Sequence, residues 1–181
     1  MIEDKKVKRV LLHICCGVCA GAVVQKLRDD GFEVTGFFYN PNIYPEKEYE
    51  QRLEVVRQAS QLLGFTLVEG PYEINAWLER VQGLEAEPEG GQRCQVCFRM
   101  RLQKTAEKAR EMGIEHIAST LSVSPHKNVQ EINAIGQGLS AGFLPYDFKK
   151  QDGFKKTMDF AKKHGFYRQH YCGCKYSKKT A

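Results

Sequence analysis

No stretch of this 181-residue chain approaches the roughly 18 consecutive apolar residues that a membrane span requires. Its opening, MIEDKKVKRVLLHICC, places charge before an apolar run, as a secretion signal does. That run is too short, has no small-residue cleavage site and passes straight into cysteines, so a cytoplasmic protein is expected. Internal repeats and low-complexity tracts are absent, and the length suits one domain over residues 1–181 with a continuous core. A glycine-rich phosphate loop is missing after the first apolar run, where a nucleotide-binding relative would carry one; thiols stand there instead.

Cysteine is plentiful, with seven residues, six of them in three tight pairs: Cys15-Cys16, Cys94-x2-Cys97 and Cys172-Gly173-Cys174, with Cys19 just after the first pair. In a reducing compartment such clusters read as metal ligands or redox catalysts before disulfides, and an odd count argues against full pairing. Thiolates this close in sequence can turn toward one point, which suggests a soft-metal centre assembled by the fold. Cys94-x2-Cys97 alone suits a zinc half-site, a cluster or a redox dithiol equally. Cys172-Gly-Cys174 is more specific, because glycine permits the tight turn two thiolates on one centre need. Cys19, one turn along, reads either as a ligand or as a small buried residue. Zinc needs only four ligands, and seven cysteines also exceed one four-iron cluster. The expectation is therefore a [4Fe–4S] cluster with an additional metal or free thiols beside it.

The first half alternates strand and helix signals: strands over 7–14, 33–39 and 65–68, helices over 17–28 and 46–63, and a proline-bearing loop over 39–45. This βαβαβ pattern predicts an α/β fold, a Rossmann-like parallel sheet flanked by helices, with a cysteine-rich helical C-terminal part. Further along, helices are expected over 73–81, 94–112, 128–139 and 153–164, a fourth strand over 115–119 and a fifth over 144–148. Cys15, Cys16 and Cys19 then fall at the carboxyl end of the first strand, where open α/β sheets bind ligands. The start of a helix also favours thiolate over thiol. His13, inside the first strand, reads as a core or supporting residue, and Trp77, His116 and His164 as structural.

The net charge of +5 is unevenly spread: from Phe148 to Ala181 ten Lys/Arg face two Asp, a net of +8, leaving −3 for the rest. A basic segment 148–181 beside Cys172 and Cys174, closing the metal site, suits a polyanionic substrate, with Lys155, Lys156 and Lys162 as backbone contacts; a solvated lysine-rich helix is the plainer alternative. The loop over 120–127 offers Ser124, His126 and Lys127 to phosphate or sugar, unless Ser124-Pro125 only caps the next helix. Arg168, Gln169 and Tyr171 offer planar donors and a stacking ring of the kind single-stranded RNA uses.

The ordered set LLHICCGVC, FFYNPNIYPEKEY, GLEAEPEGGQRCQVCF, TLSVSPHKN, QDGFKK and YRQHYCGC resembles the QueH-type, cobalamin-independent epoxyqueuosine reductases over about residues 8 to 177. One departure is Gly17-Val18, where that family's pattern has a small residue and proline. The resemblance implies a nucleotide α-hydrolase-like fold and two-electron deoxygenation of epoxyqueuosine at the tRNA wobble position. It also implies an iron–sulfur cluster with a neighbouring mononuclear metal, iron, drawn from the ligand pool Cys15, Cys16, Cys94, Cys97, Cys172, Cys174 and Cys19. A ferredoxin- or flavodoxin-like donor would supply electrons. Asp152, His126 and Tyr171 are candidates, by loop position, for the acid that protonates the departing oxygen. Two rival readings are a zinc-stabilised RNA-binding module without catalysis and a thiol–disulfide oxidoreductase.

Overall fold

Along the first strand, β1 (Lys8–His13), Val10 and Leu12 point to one face of a sheet and Leu11 to the other, and all three are fully buried. That two-sided burial is the mark of a central parallel strand, and it requires a helical layer on each side. The computed structural model, which describes residues 7–177, supplies both layers. The elements run β1, α1 (Gly17–Asp29), β2 (Phe32–Phe38), α2 (Glu46–Leu63), β3 (Thr66–Glu69), α3 (Ile74–Arg80), α4 (Gln92–Glu111), β4 (His116–Ser119), α5 (Val129–Leu139) and α6 (Gly153–Lys163). The four strands are all parallel, in the order β3-β2-β1-β4. The α/β expectation therefore holds.

One core joins Val10, Leu12 and Ile14 to Val23, Val24 and Leu27 of α1 and Leu53 and Val56 of α2. The other joins Leu11 and Phe37 to Trp77 of α3, Leu102 and Ala106 of α4 and Ile132 of α5. Helix α6 packs on α1 through Ala161. Arg28 at the end of α1 donates to the Leu63 and Gly64 carbonyls (2.7 and 2.9 Å), satisfying the open C-terminus of α2. The departure at Gly17 has a packing reason: a Cβ there would lie 2.5 Å from the Val55 carbonyl oxygen, so α1 begins hard against α2.

The fifth strand is a correction. Ile117 makes one parallel bridge with Phe143, and the Leu144 amide donates to the Ile117 carbonyl (2.8 Å), but there the pairing stops. Pro145 has no N–H to continue a ladder. The chain turns away, and Leu144, Tyr146 and Phe148 pack onto the core as loop residues. No helix among the described residues is long and apolar enough to cross a membrane.

The connections build the crevice. From β1 the chain steps to β2 and β3 on one side, then crosses so that β4 lies on the other. The carboxyl end of β1 is thus a topological switch point, where the loops on either side diverge and leave a cleft.

Candidate metal centre and substrate cleft

Beyond β1 the backbone delivers Cys15, Cys16 at the N-cap of α1, and Cys19 in its first turn. The three sulfurs lie within 4.8 Å of one another, with Cys16 Sγ 2.7 Å from Cys19 Sγ. Thr120, at the end of β4, ties down the first of them: its Oγ1 accepts from the Cys15 amide (3.0 Å) and donates to Cys15 Sγ (3.2 Å). Hydrogen bonds from Cys16 and Cys19 hold the Cys15 thiol well below its usual range, aided by the charges of Lys127 and Arg101. The same sharing pushes Cys16 up to about 12 and Cys19 upward too.

The other four cysteines surround a second cavity. Cys94 and Cys97 sit in the first two turns of α4, and Cys172 and Cys174 on the loop after α6; all four line this space together with Asn42, Arg93 and Arg101. Gly173 makes the loop's turn with φ 103, a conformation L side chains rarely adopt. Cys172 is drawn down to about 5, chiefly by its hydrogen bond with Cys174 and also by Ser177 and Lys127, while that bond raises Cys174. Burial raises Cys94 and Cys97.

The loop carrying the last pair is held by Arg52 of α2. This guanidinium donates from Nη1 to the Cys172 carbonyl and from Nη2 to the Tyr171 carbonyl (both 3.0 Å), and from Nε to Glu48 (2.7 Å). Glu48 Oε2 in turn accepts from the Tyr167 hydroxyl (2.8 Å). The Tyr44 amide donates to the Gly173 carbonyl (2.8 Å), and Ile43 bridges Cys174.

The two thiol groups meet on one cleft of about 750 Å3, whose walls include Cys15, Cys19 and Cys172. Cys172, His126 and Lys127 line both this cleft and the inner cavity. Lys127 therefore borders both spaces, and its charge acts on Cys15 and Cys172, sulfurs from opposite ends of the sequence.

Comparison with known proteins decides the family. The epoxyqueuosine reductase QueH profile matches residues 10–180. The chain belongs to that family. It is 41% identical over 180 residues to epoxyqueuosine reductase QueH of Streptococcus pyogenes serotype M1, covering 94% of this chain and 70% of that one. Against the QueH of Thermotoga maritima it is 35% identical over 175 residues, covering 93% and 89%. A crystal structure described as a predicted subunit of tRNA methyltransferase from Methanocaldococcus jannaschii superposes with a TM-score of 0.57 at 10% identity, over 90% of this chain and 93% of that one. That likeness concerns the fold alone.

The structure brings Ser124, His126, Lys127, Arg168, Gln169 and Tyr171 onto the cleft with the thiols. It does not bring Asp152 there: that residue is exposed at a left-handed position (φ 62) before α6. Lys155, Lys156 and Lys162 lie exposed on α6 and off the cleft walls. Tyr171 donates its hydroxyl to the Tyr44 carbonyl, and burial raises its pKa. Ser124 Oγ accepts from the His126 amide (3.3 Å), while the N-cap of α5 is Asn128.

His13 is neutral and structural. Burial, then the charge of Arg101, depresses its pKa to about 3. Nε2 faces the Tyr39 carbonyl (3.1 Å), which can only accept, so Nε2 carries the proton and Nδ1 accepts from Ser119 Oγ (2.9 Å). Sequence reasoning missed Arg52, Glu48, Thr120 and Arg101. A signal for the first two was present: Glu48 and Arg52 fall on the same stripe of α2 as Tyr49, Leu53 and Val56, where a solvated pair does not belong.

Proposed function

We propose that this chain converts epoxyqueuosine in tRNA to queuosine by reductive removal of the epoxide oxygen. The balance is two electrons and two protons in, one water out, with both carbon–oxygen bonds of the epoxide broken and a carbon–carbon double bond formed. The observation that carries this reading is that the three cysteine groups line a cleft and an inner cavity that share Cys172, His126 and Lys127.

The donor sets divide by distance. One metal ion holds thiolate sulfurs at about 2.3 Å, so two of them lie no more than roughly 4.6 Å apart. The packed trio Cys15, Cys16 and Cys19 suits a single ion, iron in this reading. The quartet Cys94, Cys97, Cys172 and Cys174 rings a cavity and matches the four-cysteine ligation of a [4Fe–4S] cluster. Its surroundings fit as well: the Nε atoms of Arg93 and Arg101 are buried there with no hydrogen-bond partner. Such N–H groups suit inorganic sulfide, and the two guanidinium charges offset an anionic cluster.

When bound, the cluster supplies electrons one at a time and the neighbouring metal supplies a Lewis acid for oxygen. The chain's own residues do the rest. Lys127 adds positive charge beside Cys15 and Cys172, stabilising negative charge that develops on oxygen between them. His126, exposed on the cleft wall, is placed to donate the proton that the departing oxygen takes; Tyr171 is committed to Tyr44, and Asp152 stands outside the walls. Arg168 and Gln169 present planar donors to the nucleotide. Electrons come from a low-potential protein of the ferredoxin or flavodoxin class.

Anaerobic purification with iron, sulfide and zinc analysis tests the reading. A brown protein with roughly four sulfides per chain, as the four-iron cluster requires, bleached by dithionite and active on epoxyqueuosine tRNA, is the expected result. A colourless protein holding only zinc overturns the redox mechanism. The basic segment carries its own prediction. Replacing Lys155, Lys156 and Lys162 together by Ala weakens tRNA binding and reduces the log–log salt slope by about 2–3, with iron and sulfide content unchanged. Unaltered affinity at moderate salt removes these lysines from the interface.

A further inference from the structure

One cleft residue has no part in holding sulfur, charge or proton. Phe154 is 41% exposed, one of only four large hydrophobic side chains so exposed among the described residues, and it forms part of the cleft wall. Helix α6 does not lack an aromatic for its packed side: Phe160 fills that role, its ring so close to Gly21 that a Cβ there would lie 2.6 Å away. Phe154 instead heads a separate stripe, with Thr157 and Met158 at i+3 and i+4, that faces the cleft.

The chain goes to some trouble to put it there. Gln151 and Asp152 both adopt positive φ (55 and 62), and a Cβ on Gly153 would fall 1.7 Å from the Phe148 carbonyl oxygen. Strained turns of this kind persist where the surrounding structure uses what they position. What this turn positions is the first turn of α6, with Phe154 at its second residue.

The surroundings name the ligand class. Lys47, Lys127 and Arg168 line the same cleft as this ring, with Glu48 and Glu89 the acidic residues there, so the cleft combines an apolar plate with an excess of cations. An unpaired nucleobase with its phosphates is the ligand that uses both. The modified nucleotide itself must reach the sulfur end at Cys15, Cys19 and Cys172, which takes it out of the anticodon stack and uncovers a face of an adjoining base. Resting on the function proposed above, we infer that Phe154 is the stacking platform for the base next to the modified nucleotide. Because a phenyl ring offers no hydrogen bonds, this contact is indifferent to base identity and acts through affinity and positioning.

The test is a binding cycle with an anticodon stem-loop RNA carrying guanosine at the wobble position, read by fluorescence anisotropy. Companion RNAs are made abasic at the position before or after the wobble nucleotide. Phe154→Ala is expected to weaken binding of the intact stem-loop about 5- to 150-fold, the range for single base–aromatic stacks. On one of the two abasic RNAs the penalty shrinks to less than twofold, because the partner base is already gone. Phe154→Trp binds within a few-fold of wild type, and its new indole is quenched by the intact RNA. Iron content and thermal stability of both variants serve as folding controls.

An affinity for Phe154→Ala within twofold of wild type overturns the assignment, as does a full penalty on both abasic RNAs. Unchanged RNA affinity with turnover lost only under a protein electron donor, and kept under dithionite, would reassign the ring to donor docking. Turnover of epoxyqueuosine tRNA by the wild-type protein is measured separately. Its absence counts against the function, whereas turnover with an indifferent Phe154→Ala counts against the platform alone.

Discussion

Arg52→Ala is expected to be among the most damaging single substitutions in this protein, costing about 3–5 kcal/mol, the usual penalty for leaving one member of a buried ion pair alone. Arg52 and Glu48 have side-chain exposures of 3% and 10%, so water does not replace the lost partner. The truncation also strips donors from two carbonyls, those of Tyr171 and Cys172. Against a total stability of roughly 5–15 kcal/mol for a typical domain, that is a large share. For a chain of this length the thermal midpoint falls by about 6–20 °C. The loop bearing Cys172 and Cys174 loses its anchor to α2, so the protein retains less iron and sulfide at a given temperature. Arg52→Lys separates charge from geometry. An ammonium neutralises Glu48 but cannot serve three acceptors in a planar fork, so it restores part of the stability and little of the loop order. Thermal denaturation together with sulfide analysis checks both variants. Equal sulfide retention in wild type and Arg52→Ala would show that the loop holds its shape without the guanidinium.

The second large effect separates the two thiol groups. Serine at Cys94, Cys97, Cys172 or Cys174 is expected to remove the visible absorption and the labile sulfide together, since in the proposed division each would supply one of a four-iron cluster's four ligands. Serine at Cys16 or Cys19 leaves sulfide in place, removes about one iron per chain and still abolishes turnover. Loss of a Lewis acid worth several kcal/mol corresponds to at least on the order of a thousandfold in rate. Metal analysis and optical spectra on six single variants decide the matter. If Cys16→Ser or Cys19→Ser loses sulfide as readily as Cys97→Ser, the 3-plus-4 division fails.

Much of this architecture was readable before any coordinates. Helix α2 occupies Glu46–Leu63 as its periodicity predicts, ending at Gly64 in the left-handed conformation glycine favours. The first four strands fall within a residue or two of their apolar runs, because a buried parallel strand leaves a continuous hydrophobic signature. The fifth failed on a single residue: Leu144 to Phe148 alternates convincingly, but Pro145 removes the amide that pairing needs. The cysteines showed three local groups, while their division into trio and quartet depends on contacts between residues far apart. Thr120 is 105 residues from Cys15 and Arg52 is 120 from Cys172, separations invisible to any window of sequence. Asp152, chosen by loop position, is not among the cleft-lining residues, since a residue near a cleft in sequence need not line it.

The sulfur centre draws on segments near residues 15, 94 and 172, and no two of the three are neighbours along the chain. During translation, Cys15, Cys16 and Cys19 emerge early, whereas the quartet is incomplete until the ribosome has passed Cys174. On the proposed ligand division, cofactor insertion would therefore be a late event. Until then the nascent chain carries up to six cysteine thiols without the complete set, open to oxidants and to adventitious zinc. Expression conditions that slow elongation or limit iron delivery should increase the mismetallated fraction without altering a single contact in the finished fold.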